Sequence, residues 1–99
     1  MDAKLVERGN EGELAIIGKV DSTVAPELDK LLTGLCAKFD KLIINMAELE
    51  YISSAGLRCL SNANKAMMLK GGSLVLKNVN KMVMEVLELT GFASILTIV

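Results

Sequence analysis

The chain contains no histidine. Without an imidazole there is no Ser-His or Cys-His pair to activate a nucleophile and no histidine ligand for a metal, so conventional hydrolase chemistry loses its usual groups. Aromatics are scarce, one tyrosine and two phenylalanines, and 52% of the residues are apolar. The core must therefore be aliphatic, built from Leu, Ile, Val, Ala and Met. Only two cysteines occur, Cys36 and Cys59, both in helix-like apolar patterns. Their spacing matches no metal motif, and two are too few for the disulfide framework of a small secreted domain. They read as buried small hydrophobes in a reducing compartment. Charge nearly cancels, at a net −1. The chain thus lacks the basic stripe of a nucleic-acid binder and the like-charge blocks that recruit proteins to membranes.

No apolar run approaches the ~20 residues that span a bilayer, and Met1-Asp2-Ala3-Lys4 does not open a secretory signal. The expectation is a cytoplasmic protein with no membrane insertion and no nucleic-acid partner. Gly18 and the pair Gly71-Gly72 are too sparse for a phosphate loop or a dinucleotide fingerprint, so no cofactor is expected. A chain of 99 residues is expected to form a single domain over 1–99. Such a domain buries roughly 60% of its unfolded surface, enough for one core but not for a large enclosed active site.

Within these bounds the apolar pattern alternates between strand and helix. Leu5–Arg8 and Leu14–Ile17 flank the turn formers Gly9-Asn10-Glu11-Gly12, which predicts a hairpin with a four-residue loop. The run Leu14-Ala15-Ile16-Ile17 is apolar at consecutive positions, as in a central strand covered on both faces. Gly18–Thr23 reads as a loop. Pro26, with Glu27 and Asp29 close behind, marks a helix start, and Ala25, Leu28, Leu31, Leu32 and Leu35 recur at helical spacing to about Cys36–Lys38. Leu42–Asn45 is a short buried strand, followed by an irregular passage over Met46–Ile52. A second helix carries Leu57, Leu60, Asn64, Met67 and Met68 on one face and stops at Gly71-Gly72. Ser73–Lys77 is a strand, Asn78–Asn80 opens a third helix that Gly91 ends, and Ile95–Val99 is a final strand. Strand–helix–strand units favour parallel pairing with right-handed crossovers. The fold class predicted is α/β, a mixed and mostly parallel sheet with an initial hairpin and about three to four helices packed against it.

The most informative stretch is Tyr51-Ile52-Ser53-Ser54-Ala55-Gly56-Leu57, where a strand-like run gives way to a helix. A helix N-terminus carries partial positive charge and unpaired backbone N–H groups, so a phosphate is tolerated there. A serine at this place is equally a preferred helix cap. The two roles are compatible, with Ser53 capping and Ser54 facing solvent. Gly56 keeps the side-chain profile low, which lets another protein approach. Catalysis by Ser54 is disfavoured: the G-x-S-x-G elbow is missing, Ile52 stands two residues before it, and no histidine exists to act as base. Asp21-Ser22-Thr23 is a second polar cluster, a loop and capping segment in its own right. It follows one strand as Ser53-Ser54 follows another run, and if the two are parallel neighbours both clusters lie on one edge. Lys65, Lys70, Lys77 and Lys81 read as scattered solvated charges, and Met67, Met68, Met82 and Met84 as core filler and periphery.

Taken together, Asn45–Leu57 resembles the signature of STAS domains, specifically bacterial anti-sigma factor antagonists. Their usual form is a strand ending in Asp or Asn, an acidic-apolar stretch, then Asp-Ser-Ser-Gly-Leu or Ser-Ser-Ala-Gly-Leu. Gly18-Lys19-Val20-Asp21 resembles the family's Gly-x-Leu/Val-Asp, and Leu89-Thr90-Gly91-Phe92 its late Leu-x-Gly-Phe/Leu element. The resemblance implies a non-enzymatic switch: the unphosphorylated antagonist binds an anti-sigma factor that is also a GHKL-type ATPase and serine kinase, and the sigma factor is released. The kinase phosphorylates the serine matching Ser54 and ends the interaction, and a PP2C-type phosphatase restores it. By the same resemblance, Asp21, Ser22, Thr23 and the turn Ser53, Ser54, Ala55, Gly56 and Leu57 form the partner-binding surface. Two departures matter. Ser53 stands where many members carry an aspartate, which leaves Ser53 as an alternative phosphosite, and Ala55 stands where many carry a second serine. Alternative readings are a non-phosphorylated STAS scaffold subunit of an ABC-type lipid transporter ATPase and, less favoured, a small-ligand or nucleotide-binding module.

Overall fold

In the computed structural model, which describes residues 1–99, the chain opens as a hairpin. Strands β1 (Asp2–Arg8) and β2 (Glu11–Val20) pair antiparallel from Asp2↔Ile17 to Arg8↔Glu11. The connection is Gly9-Asn10 alone, two residues rather than the four expected from composition. Gly9 takes φ 61, and a positive φ at the first central residue lets a two-residue turn follow the right-handed twist of its strands. Gly12 consequently lies inside β2, where a Cβ would stand 2.8 Å from the ring of Phe39.

β2 also runs on through Gly18-Lys19-Val20, which the sequence pattern assigns to a loop. Its register against Leu49–Ile52 shifts there, with Gly18 opposite Leu49 and Lys19 opposite Tyr51, so Glu50 is the extra residue of a bulge and β2 continues. Beside its first half lies β3 (Lys41–Asn45), and beside its second half lies β4 (Leu49–Ile52), both parallel to it. One side of β2 therefore takes two strands in succession, with Met46–Glu48 bridging them. The Met46 N–H donates to Lys77 O at 2.9 Å and the Gly18 N–H to Glu48 O at 3.0 Å, which fixes the bridge. β4 corrects the irregular passage expected over Met46–Ile52. Leu49-Glu50-Tyr51-Ile52 is buried only at its two ends, neither alternation nor a continuous apolar run, and so carries no strand signal.

β5 (Ser73–Lys77) and β6 (Thr97–Ile98) extend the sheet in parallel, giving the order β1-β2-β3-β5-β6 with β4 paired to β2. The helices are α1 (Ala25–Lys38), α2 (Ser54–Leu69) and α3 (Lys81–Thr90). A single 3-10 turn, Phe92–Ser94, shortens the last strand from the expected Ile95–Val99. No helix is long and apolar enough to cross a membrane.

Strand burial alternates. Leu14, Ile16, Leu42, Ile44, Leu74 and Leu76 are buried, while Ala15, Ile17, Ile43 and Val75 between them are half-buried. The buried set joins Leu28, Leu32, Leu57, Leu60, Met67, Val83 and Leu87 of the helices in one core. The helices thus cover one face of the sheet, and the expectation of a central strand covered on both faces is corrected. On the other face, Glu13 lies 3.1 Å from Arg8 and 3.7 Å from Lys77, and accepts from the Asn45 amide at 3.3 Å. The Asn45 hydrogen bond and then the Arg8 guanidinium hold the Glu13 carboxyl below the usual carboxylate range.

Two surface expectations also change. Lys70 donates to the carbonyls of Cys36 and Phe39 at 2.9 and 3.0 Å, satisfying the open C-terminal end of α1 where a cation is favoured. Met68, grouped with the buried face of α2 by its spacing, is 67% exposed, while Met67 is fully buried.

Candidate functional site

Val20 and Ile52 are paired at the ends of β2 and β4, so the segments leaving the two parallel strands leave the sheet side by side. The Ser53 N–H donates to Val20 O at 2.8 Å and locks the junction. The two strands are the parallel neighbours that the shared edge requires, and Asp21-Ser22-Thr23 and Ser53-Ser54 lie together on it.

Each cluster starts a helix. In the first, one carboxylate oxygen of Asp21 accepts from the Val24 N–H at 2.9 Å, and the Asp21 carbonyl accepts from the Ala25 N–H at 3.0 Å. Val24, at the cap position, makes no side-chain cap bond, so Asp21 supplies the turn into α1 while Ser22 and Thr23 stay exposed. In the second, Ser53 adopts an extended conformation and its Oγ accepts from the Gly56 N–H at 3.2 Å. It is the N-cap of α2 and half-buried. Ser54 is the first residue of the helix, and it is exposed.

The remaining motif residues divide by depth. Ala55 is half-buried beside Ser54. Gly56 is buried, and a Cβ there would stand 2.7 Å from Ile52 Cγ1 and 2.9 Å from Val20 Cγ1. Its missing side chain lets α2 approach its own sheet and opens no path for a partner, contrary to the role expected of it. Leu57 is fully buried in the core, because its position on α2 points at the strands. These two support the surface from beneath. What solvent meets along the edge is Asp21, Ser22, Thr23 and Ser54, with parts of Ser53 and Ala55.

Arg58 borders this edge outside the motif pattern; its place four residues after Ser54, which puts the two on one helix flank, is the signal that points to it. Arg58 is exposed and, with Ser22, Pro26, Asp29 and Ala55, lines a shallow cleft of about 340 Å³ between the starts of α1 and α2. On the α3 side, Tyr51 (51% exposed) and Met82 (58% exposed) border a smaller cleft of about 180 Å³. Cys36 and Cys59 lie buried between α1 and α2, the Cys59 thiol donating to Ala55 O at 3.2 Å and the Cys36 thiol to Ala63 O at 3.6 Å. Burial pushes both thiols up, away from the reactive thiolate. Exposed hydroxyls, a turn-forming carboxylate and a guanidinium on a shallow surface suit recognition of another protein.

Comparison with known proteins gives this surface a context. The model of the STAS domain matches residues 2–99. The chain is 37% identical over 79 residues to BtrV of Bordetella bronchiseptica, named as a candidate anti-sigma factor antagonist, covering 79% of this chain and 68% of BtrV. It is 29% identical over 89 residues to the anti-sigma-B factor antagonist of Bacillus subtilis, covering 90% of this chain and 82% of that protein. Among solved structures, unphosphorylated SpoIIAA, an anti-sigma factor antagonist, matches with a TM-score of 0.84 at 14% identity, over 99% of this chain and 88% of SpoIIAA. The phosphorylated form of SpoIIAA, from Bacillus, matches with a TM-score of 0.77 at 13% identity, over 99% and 91%. At such identities these structural matches speak to the fold. The chain belongs to the STAS domain family and, within it, to the anti-sigma factor antagonists.

Proposed function

We propose that this antagonist binds an anti-sigma factor through the edge formed by Asp21, Ser22, Thr23, Ser54 and Ala55, and that phosphorylation of Ser54 ends the binding. The division of labour between the adjacent serines carries this reading. Ser53 Oγ is half-buried and engaged with the Gly56 N–H, whereas the Ser54 hydroxyl stands exposed at the first helical position. Of the two adjacent serines only Ser54 offers a kinase an exposed, unengaged hydroxyl, and that favours Ser54 over Ser53.

The chemistry requires ATP from the partner. The Ser54 oxygen takes the γ-phosphoryl group, the hydroxyl proton is released, and ADP leaves; a phosphatase returns the hydroxyl by hydrolysis. A GHKL-type serine kinase, which is the anti-sigma factor itself, and a PP2C-type phosphatase fit these two steps. The product carries about −1.5 to −2 charge at neutral pH. At a helix N-terminus the fold accommodates that charge, because the dipole and the free N–H groups favour an anion. A partner packed on the same edge instead meets a bulky, hydrated dianion in place of a hydroxyl, and binding is lost by repulsion and desolvation without refolding. This reading makes the chain a regulator that performs no catalysis and places it in the cytoplasm, where sigma factors act.

The test is capture from the native cell with wild type, Ser54→Ala and Ser54→Asp as parallel baits, read by mass spectrometry. The expected result is an ATPase of the kinase type held by wild type and Ser54→Ala and lost with Ser54→Asp. A transporter ATPase as the captured partner, or a kinase held equally by all three, would overturn the proposal.

A further inference from the structure

Helix α2 differs from the other helices in its charges. Over the 16 residues Ser54–Leu69 it carries Arg58 and Lys65 and not one acid, whereas α1 carries Glu27 and Asp29 and α3 carries Glu85 and Glu88. Its first turn, where helices favour Asp or Glu, presents only hydroxyls and small residues. The two arginines of the chain differ as well. Arg8 is held by Glu11 and Glu13 at 3.2 and 3.1 Å. Arg58 is exposed and stands outside every ion pair in the structure, although Asp29 borders the same cleft.

We infer that Arg58 is the in-chain counter-ion of phosphorylated Ser54, an inference that rests on Ser54 being the phosphosite. Residues four apart on a helix have Cβ atoms ~5–6 Å apart, and an anion placed N-terminal to its cation is the favourable order. The planar guanidinium offers two parallel N–H donors to two phosphate oxygens, a geometry that an ammonium group lacks. The single modification then acts twice. Before phosphorylation, the contact edge presents a free cation beside a hydroxyl. Afterwards it presents a dianion, and the guanidinium is drawn onto that dianion and away from the partner. Local charge therefore reverses with no movement of the backbone, and the phosphate is seated by the antagonist itself.

Phosphoserine installed at position 54 during synthesis provides the test, in otherwise wild-type protein and in R58Q and K65Q backgrounds, with the phosphorus-31 shift followed against pH. Phosphoserine takes its second charge near pH ~6. Asp21 beside the junction and Asp29 on α1 oppose that charge and Lys19 at the end of β2 favours it, but all three are common to the three proteins. Lys65 lies 11 residues from Ser54, ~16 Å along the helix, and serves as the distant-charge control. The expected midpoint in wild type and K65Q lies about 0.3 pH unit below that of R58Q, and added salt narrows the gap. An R58Q midpoint equal to wild type, or a K65Q midpoint displaced as far as that of R58Q, would overturn the inference. Because the phosphate is installed, this result is independent of which serine a kinase chooses. Mass-spectrometric mapping of the phosphosite after a kinase reaction tests that question separately.

Discussion

The backbone N–H of Ser53 donates to the carbonyl of Val20 at 2.8 Å, and this bond joins two distant segments of the chain into one surface. Val20 is the last residue of β2, and Ser53 is the cap of α2. Everything polar that leaves β2 is therefore presented next to everything polar that begins α2. The Asp21 turn and the Ser54 hydroxyl share an edge because two strands run parallel to the same end.

The adjacent serines are expected to differ in their contribution to stability. Ser53→Ala removes the acceptor for the Gly56 N–H and is expected to cost about 1 kcal/mol, as lost N-caps do. Ser54→Ala removes an exposed hydroxyl and is expected to change stability by less than about 0.5 kcal/mol. Chemical denaturation checks the order of the two, and equal losses would contradict the assignment of Ser53 as the cap.

Gly56→Ala sets helix propensity against packing. Alanine favours the helix by about 1 kcal/mol, yet its Cβ would stand 2.7 Å from Ile52 Cγ1 and 2.9 Å from Val20 Cγ1. Both neighbours are buried, β-branched side chains at strand ends, with little freedom to turn aside. Overpacking of this kind costs about 1–3 kcal/mol, so the expected outcome is a net loss of stability together with weaker partner binding, since α2 must lift from the edge. Thermal unfolding checks it, and a stabilised variant would refute the packing role.

Leu57, one residue further, is core. Leu57→Ala is expected to destabilise by about 2–5 kcal/mol, and in the portion that remains folded the partner affinity should persist. Denaturation and calorimetric titration together separate this from a contact residue, whose loss would lower affinity and leave stability intact.

Glu13 gives the open sheet face a pH dependence. Its folded pKa is depressed, first by the Asn45 hydrogen bond and then by Arg8. A depressed carboxyl contributes stability above its unfolded value, near pH ~4.3, and loses that contribution as pH falls through the lower folded value. Glu13→Gln is therefore expected to be slightly less stable than wild type at neutral pH, with the difference closing as the solution is taken below that range. Urea midpoints at several pH values check this, and a gap that widens in acid would have the wrong sign.

The thiols should report the closure of the α1–α2 contact. Cys36 is 5% and Cys59 8% exposed, and burial pushes both thiols up. Alkylation at mildly alkaline pH is expected to be slow in the native protein and rapid in denaturant. Fast labelling of either cysteine without denaturant would show the helices parting readily.

How much of the fold is legible in the sequence follows from the range of each signal. The helices are readable because their punctuation is local. Pro26 begins α1 and Ser53 caps α2. Asn80 caps α3 by accepting from the Val83 N–H at 2.8 Å, and Gly91 ends that helix at φ 83. The apolar stripes of α1 and α3 follow the same local rule. β4 is not readable, because its four residues show no strand pattern and owe their strand character to the free edge of β2 beyond Ala15. The hairpin is readable as a hairpin, but its two-residue turn depends on Gly9 adopting a positive φ, whereas composition spreads the turn over four candidate positions.

The site divides in the same way. That Ser53-Ser54 opens a helix, that Asp21 begins another, and that the chain carries the marks of an anti-sigma factor antagonist are properties of the sequence, since caps and motifs act over a few residues. Which motif residues stay at the surface is a property of the tertiary structure. Gly56 and Leu57 sit in the same short motif as Ser54, yet the packing of α2 on Val20 and Ile52 turns them inward and leaves Ser54, and Arg58 one turn later, outside. A helix places its residues around a full circle, and only the position of the sheet decides which arc is surface.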